Sequence, residues 1–406
     1  MPKIIPWMRK GFFLIYKHPP KTIYPLLYVN LNYFSHGVIL DIGSKYAPYY
    51  GQEDDIMQQQ INLGIIGVGE VTINRHIPSV LQTGDSAARV YALADIVPGI
   101  AQRVADKNGI PVATEDYHTL LEDENVHAIA ICTPVHNHKQ LTIEALNAGK
   151  HVYLEKPATM NAQEMEDIMQ VSRNRSEILL VGSNGMLQPQ MLLFKKMIDE
   201  GKLGELYLVS VERAASRKGD YVIASGRKAE SGISMHSASH NIEWSLFFLG
   251  DPKPVSVVAR GYYRYNNISK PGYRADEMDD CCIAIVQFDN GASFSFKALR
   301  GAPASAEYQL KLYGDMGTVE YDVQKCYKSK SNDCIRIQLD SGSLGMQEMR
   351  PLLDAGKTHA DMYRHFFECI RTGTQSISNG ERAVVVMRVL DAIAKSINEG
   401  GKQVML

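Results

Sequence analysis

Residues 235–243 read MHSASHNIE. His236, His240 and Glu243 are spaced i, i+4 and i+7, so on a helix their three side chains share one face. Two imidazoles one turn apart, followed by a carboxylate, suit two kinds of chemistry. They can hold a zinc-like cation, or they can move protons, because an imidazole changes charge near neutral pH. The spacing alone leaves both open.

A second constellation lies at the end of the first strongly apolar run. GVGEVT at 67–72 carries the first two glycines of a dinucleotide fingerprint, with Thr72 in place of the third. Gly67 permits a tight turn, Gly69 lets backbone approach a pyrophosphate, and the helix that follows aims its N-terminal amides at that charge. Gly67, Val68, Gly69, Glu70 and Val71 are therefore read as cofactor-binding. Asp95 ends the next apolar run, where a carboxylate can bind ribose hydroxyls. A 2′-phosphate about 4 Å away would be repelled by up to about 4 kcal/mol at a surface-like dielectric, and Ile96 rather than an arginine follows. NAD is expected in preference to NADP.

Such residues need a scaffold that gathers strand ends. The apolar runs INLGIIGVGE (61–70), RVYALAD (89–95), AIAICTP (128–134), HVYLEKP (151–157) and EILLVGSN (177–184) alternate with helical segments such as NHKQLTIEALNAG. Ile73, Ile77, Val80 and Leu81 supply helical spacing after the first of them. Nearly continuous apolar strands between helices mean a parallel sheet covered on both faces, with ligands at the carboxyl ends of its strands. From about 205 the texture changes to longer alternating strands at 206–213, 255–263, 282–288, 292–299 and 307–313, with hairpin turns in FDNGASF and YGDMGTVEY. The expected fold is α/β. A Rossmann-type doubly wound parallel sheet over 61–183 is followed by an α+β domain over 184–406, with a large open mixed or antiparallel sheet for substrate binding and oligomerisation and a closing helix around 381–399. Residues 1–60 show no sustained period and read as an extension of uncertain structure or a misplaced start, with Met57 the candidate start.

Composition narrows the function. The chain has 406 residues, 45% of them hydrophobic, and a formal charge of -2. Nothing argues for an electrostatic grip on nucleic acid or an acidic membrane. No run reaches the roughly 18 apolar residues of a membrane span, and no signal-peptide pattern is present. The six cysteines form no CxxC pair and read as reduced thiols of a cytoplasmic protein. Cys281 and Cys282 are neighbours on an expected strand and so point to opposite faces, as buried thiols rather than a vicinal disulfide. A small-molecule substrate is left.

GIIGVGEV, ICTPVHNH, AGKHVYLEKP, HSASHNIEW and AIAKSINEGGKQVML, in that order, resemble the Gfo/Idh/MocA family of nicotinamide-dependent sugar and polyol oxidoreductases over residues 61–406. The resemblance implies a Rossmann domain joined to a mixed-sheet domain, substrate in the cleft against the nicotinamide, and a homodimer or homotetramer built through the second sheet. It puts Lys156 beside the nicotinamide and the reacting oxygen, with Glu155 and Pro157 holding that strand end. It makes His240 the catalytic histidine, sets Thr133, Pro134, His136 and His138 along the cofactor, and sets Asn184 where the pocket closes. The chemistry agrees with these roles. Hydride leaves a carbinol carbon only as the hydroxyl proton departs, which calls for a base near neutrality and a fixed cation for the developing alkoxide.

One departure stands out. The family's helix commonly carries Asp, His and Asp where this chain has His236, His240 and Glu243, and Ala238 replaces a common glycine. His236 is expected in a catalytic or substrate-binding role, Glu243 in substrate binding, and at least one imidazole near Lys156 is expected to stay neutral. No metal is expected, because His240 matches a catalytic position of a metal-free family and Lys156 already supplies positive charge. The leading function is an NAD-dependent dehydrogenase or reductase of a secondary alcohol or ketone on a sugar, inositol or related polyol. The alternatives are a redox-neutral elimination, epimerisation or glycosidic cleavage on an internally recycled NAD, and a non-catalytic dinucleotide-binding module.

Overall fold

The computed structural model describes residues 28–29, 60–183, 185–216, 232–263, 279–302, 306–328, 334–340, 342, 345–352 and 358–406. Six short strands form the first sheet: β1 (Ile61–Ile66), β2 (Ala88–Ala94), β3 (Val112–Thr114), β4 (Ala128–Ile131), β5 (His151–Glu155) and β6 (Leu179–Gly182). All pair in parallel, in the order β3-β2-β1-β4-β5-β6. Parallel neighbours need crossovers, which cover both faces, and every residue of β1 and β4 is buried. α1 (Ile77–Gln82) and α2 (Ile100–Asn108) pack on one face, and α3 (His138–Asn147) and α4 (Ala162–Ser172) on the other. The strand order reverses between β1 and β4, which opens a crevice at their carboxyl ends.

The helix after β1 departs from the expected pattern. Residues Thr72–His76 form a wider π-turn before α1 begins. That turn shifts the apolar stripe, so Ile77 and Val80 are buried while Leu81 is 73% exposed.

The second sheet has nine strands: β7 (Leu206–Ser216), β8 (Pro254–Tyr262), β9 (Cys281–Phe288), β10 (Ser293–Ala302), β11 (Glu307–Gly314), β12 (Gly317–Asp322), β13 (Ile335–Asp340), β14 (Met346–Met349) and β15 (Val404–Met405). They run in the order β14-β13-β12-β11-β7-β10-β9-β8-β15, antiparallel except for the β7–β10 pair. β9 shows the two-residue alternation plainly: Cys282, Ala284 and Val286 are buried, while Ile283 and Ile285 face out. Cys281 and Cys282 therefore do point to opposite faces. Away from the sheet, Tyr28 and Val29 pair with Leu352 and Pro351.

Four long helices serve the second half, besides a short one at Val323–Lys328: α5 (Pro189–Asp199), α6 (Ile233–Leu249), α7 (Thr358–Thr372) and α8 (Gly380–Asn398). α6 packs between β10 and α8 and ends at Gly250, whose φ of +80° suits a left-handed cap. α7 crosses back. Its Tyr363, Phe366 and Phe367 join the core under β1, Arg371 pairs with Asp85 at 2.7 Å, and Arg364 donates to the Thr83 carbonyl at 3.1 Å. Part of the segment expected in the second domain thus completes the first.

Candidate active site

A cleft of about 440 Å³ lies over the ends of β1, β2 and β4, lined by Gly67, Val68, Gly69, Asp95, Thr133, Pro134 and His136 among others. Gly67 has φ +92°, and a Cβ there would sit 2.7 Å from the Cys132 carbonyl oxygen, so only glycine makes this turn without strain. At Gly69 a Cβ would meet nothing within 4 Å. The space above it belongs to the cleft, and a side chain would take room that a pyrophosphate needs. Thr72, in place of the third glycine, is fully buried and donates its hydroxyl to the Gly67 carbonyl at 2.6 Å, closing the turn from below.

Asp95 has two tasks. Its Oδ2 accepts the Val68 N–H at 2.8 Å and its Oδ1 accepts the Val97 N–H at 2.9 Å, which ties the glycine turn to the end of β2. Each carboxylate oxygen has a second lone pair, so the group can also accept ribose hydroxyls from the cleft. Open glycine, turn amides and a carboxylate at this spacing fit a dinucleotide. Glu70 and Val71, also expected to bind cofactor, are exposed and do not line the cleft.

His138 is placed otherwise than expected. Its buried ring contacts the Thr133 carbonyl through Nε2 at 2.9 Å and the Pro157 carbonyl through Nδ1 at 3.0 Å. Burial pushes its pKa down, against these backbone contacts. It pins the end of β4 to the turn after β5 and stays outside the residues lining the cleft. Glu155 is also behind the cleft: buried, with Oε2 accepting the Lys156 N–H at 3.0 Å.

Lys156 and His240 line one cavity. With Ala158, Val181, Ser239, Glu243 and residues of α8 they line its volume of about 20 Å³, roughly the room of one water. Lys156 comes from the end of β5 and His240 from α6, so the cavity joins the two domains. Burial lowers the Lys156 pKa, the Glu155 carboxylate pulls it up, and the Arg213 guanidinium lowers it again. Ser183 Oγ stands 3.4 Å from His240 Nδ1. Glu243 reaches the same cavity, as its position three residues after His240 requires, and it accepts a hydrogen bond from Ser378. Burial raises its pKa, while Arg382, Ser183 and Ser378 oppose the rise. His236 lies on α6, but its side chain, like the whole of Asn184, falls outside the described residues.

Ser183, Ser378 and Arg213 carry no signal of their own in the sequence, and their neighbours come from distant segments. His76 falls just after the fingerprint, where no local pattern marks it. Among the described residues, the one group with metal-ligand geometry is His76, Glu155 and His359.

Comparison with known proteins places this architecture. Residues 61–183 match the GFO_IDH_MocA model, an oxidoreductase family with an NAD-binding Rossmann fold, and residues 195–406 match the family's C-terminal alpha/beta domain. The inositol 2-dehydrogenase of Rhizobium meliloti (strain 1021) is 26% identical over 346 residues, covering 84% of this chain and 97% of that protein. The scyllo-inositol 2-dehydrogenase (NAD(+)) of Bacillus subtilis (strain 168) is 23% identical over 350 residues, covering 85% and 96%. In fold, levoglucosan dehydrogenase in complex with NADH and levoglucosan superposes with a TM-score of 0.75 at 21% identity, over 86% of this chain and 99% of that one. With both of its domains matched across the two sheets and the cleft, the chain belongs to the Gfo/Idh/MocA oxidoreductase family, and its first domain is the family's NAD-binding domain.

Proposed function

We propose that the protein transfers hydride between NAD and a secondary alcohol or ketone of a sugar, inositol or related polyol. The observation that carries this reading is the shared cavity of Lys156 and His240, brought from different domains to one point. When bound in the cleft, NAD supplies the hydride acceptor or donor. Lys156, held where burial and Arg213 weaken its grip on its proton, steadies the negative charge that grows on the substrate oxygen. His240, touched by Ser183 on Nδ1, takes the hydroxyl proton in oxidation and returns it in reduction. Glu243, buried against Ser378, backs the same cavity as a hydrogen-bond acceptor. The names of the relatives support a polyol or anhydrosugar substrate.

The reading extends to assembly. Tyr207, Val258, Ile283 and Ile285, all on the second sheet, are exposed apolar side chains, which supports a homo-oligomer formed through that sheet.

The test is NADH formation by purified protein, with NAD and then NADP, across inositols, hexoses, anhydrosugars and sugar acids. An NAD-linked signal that Lys156→Ala and His240→Ala abolish, with NAD binding intact, supports the assignment. Silence across the panel, with no nucleotide bound or bindable, sinks it.

A further inference from the structure

Behind the cofactor turn, three side chains that the proposed hydride chemistry does not use converge from separate segments. His76 ends the π-turn, Glu155 ends β5, and His359 lies in the first turn of α7. One donor atom from each lies within 4.8 Å of the other two. His76 is 0% and Glu155 8% exposed. His76 Nε2 and Glu155 Oε1 stand 3.2 Å apart, close enough for an ion pair when the ring is protonated. With His359 beside them, an imidazole nitrogen and a carboxylate oxygen at this separation can hold a shared proton or a metal ion.

The surroundings suit a metal ion. The other nitrogen of His76, Nδ1, lies 2.7 Å from the Tyr363 hydroxyl, the kind of outer contact that fixes the tautomer of a ligating histidine. The His359 ring meets the His76 ring edge-on at a centroid distance of 5.6 Å.

We propose that His76, Glu155 and His359 bind a divalent transition-metal ion of the zinc class. Two imidazoles and one carboxylate are an established zinc donor set with a fourth position left over. Cys132, which interacts with His76, also lines the cofactor cleft. Because Glu155 also holds the Lys156 backbone, the ion would clamp α7 and the π-turn to the strand that carries Lys156. Its competitor is a proton on His76. The Glu155 carboxylate 3.2 Å away would hold that proton.

The test uses the untagged full chain, stripped with chelator and titrated with Zn²⁺ by calorimetry, with Mg²⁺ as a control for hard cations. One Zn²⁺ per chain, a raised melting temperature that chelator reverses, and no response to Mg²⁺ are expected. Tyr363→Phe should weaken Zn²⁺ by about 10–100-fold, and His359→Ala by more. Co²⁺ should give the intense visible bands of a tetrahedral site. His359 is the least buried of the three and decides the matter even if His76→Gln or Glu155→Gln fails to fold, with circular dichroism and NAD binding as checks on folding. No stoichiometric Zn²⁺ site in the native chain, or unchanged affinity in folded His359→Ala, overturns the proposal and leaves His76 and Glu155 as an ion pair bridged by a proton.

Discussion

Ser183 Oγ lies 3.4 Å from His240 Nδ1, and this contact joins the end of the last strand of the first sheet to the middle of α6. The domain that binds the nucleotide thus orients the imidazole that the second domain supplies. Ser183→Ala is expected to lower kcat about tenfold, while His240→Ala should lose about 10²–10⁴-fold; NAD affinity should hold in both. Steady-state kinetics with a separate NAD titration check this, and an unchanged kcat in Ser183→Ala would make the contact incidental.

Lys156 feels Arg213 as a second positive charge. Removing that charge in Arg213→Gln should raise the Lys156 pKa, because the ammonium form no longer faces a like charge. The alkaline fall of kcat is then expected at higher pH than in the native enzyme. A pH–rate profile unmoved by the substitution would show that Lys156 does not set that limb.

Asp95 holds the glycine turn through the Val68 amide and walls the cleft. Asp95→Ala is expected to raise the KM for NAD at least about tenfold, about 1.4 kcal/mol, and to narrow the preference over NADP, since the carboxylate no longer repels a 2′-phosphate. The ratio of kcat/KM for the two nucleotides measures it. A variant that loses NAD affinity yet rejects NADP as strongly as before would show that discrimination lies elsewhere.

Gly67→Ala places a Cβ 2.7 Å from a backbone oxygen, at a φ of +92°. A cost of about 1–3 kcal/mol in stability is expected, together with weakened NAD binding as the turn relaxes. Urea denaturation and a fluorescence titration with NADH report the two effects.

Glu243 bears on stability through its proton. Its folded pKa stands above the ordinary 4.5 because the carboxyl is buried. The folded state therefore holds more protons than the unfolded one between these values, and stability falls as pH rises from about 4.5 through the raised folded pKa. Glu243→Gln removes that loss while keeping an acceptor for Ser378. Its stability relative to the native chain should improve between acid and neutral pH, and parallel denaturation curves at both would refute the buried-proton account.

Much of this architecture is legible in the sequence by itself. The glycine turn, the five apolar runs of the first sheet, the alternating strands of the second and the shared face of His240 and Glu243 all rest on local rules, because backbone periods and turn chemistry act over a few residues. Lys156 is legible only through the resemblance of its motif. Local rules fail where partners are far apart in the chain. Tyr363 meets His76 across 287 positions, and Ser378 meets Glu243 across 135. The apolar stripe of α7 can be seen in MYRHFFECI, but nothing nearby says that it packs under β1. His138 shows the opposite failure: its motif points to the cofactor, while the backbone carbonyls that enclose it make it a brace. Burial and pairing depend on which surfaces meet, and that is settled when two sheets and their helices pack around two hydrophobic cores.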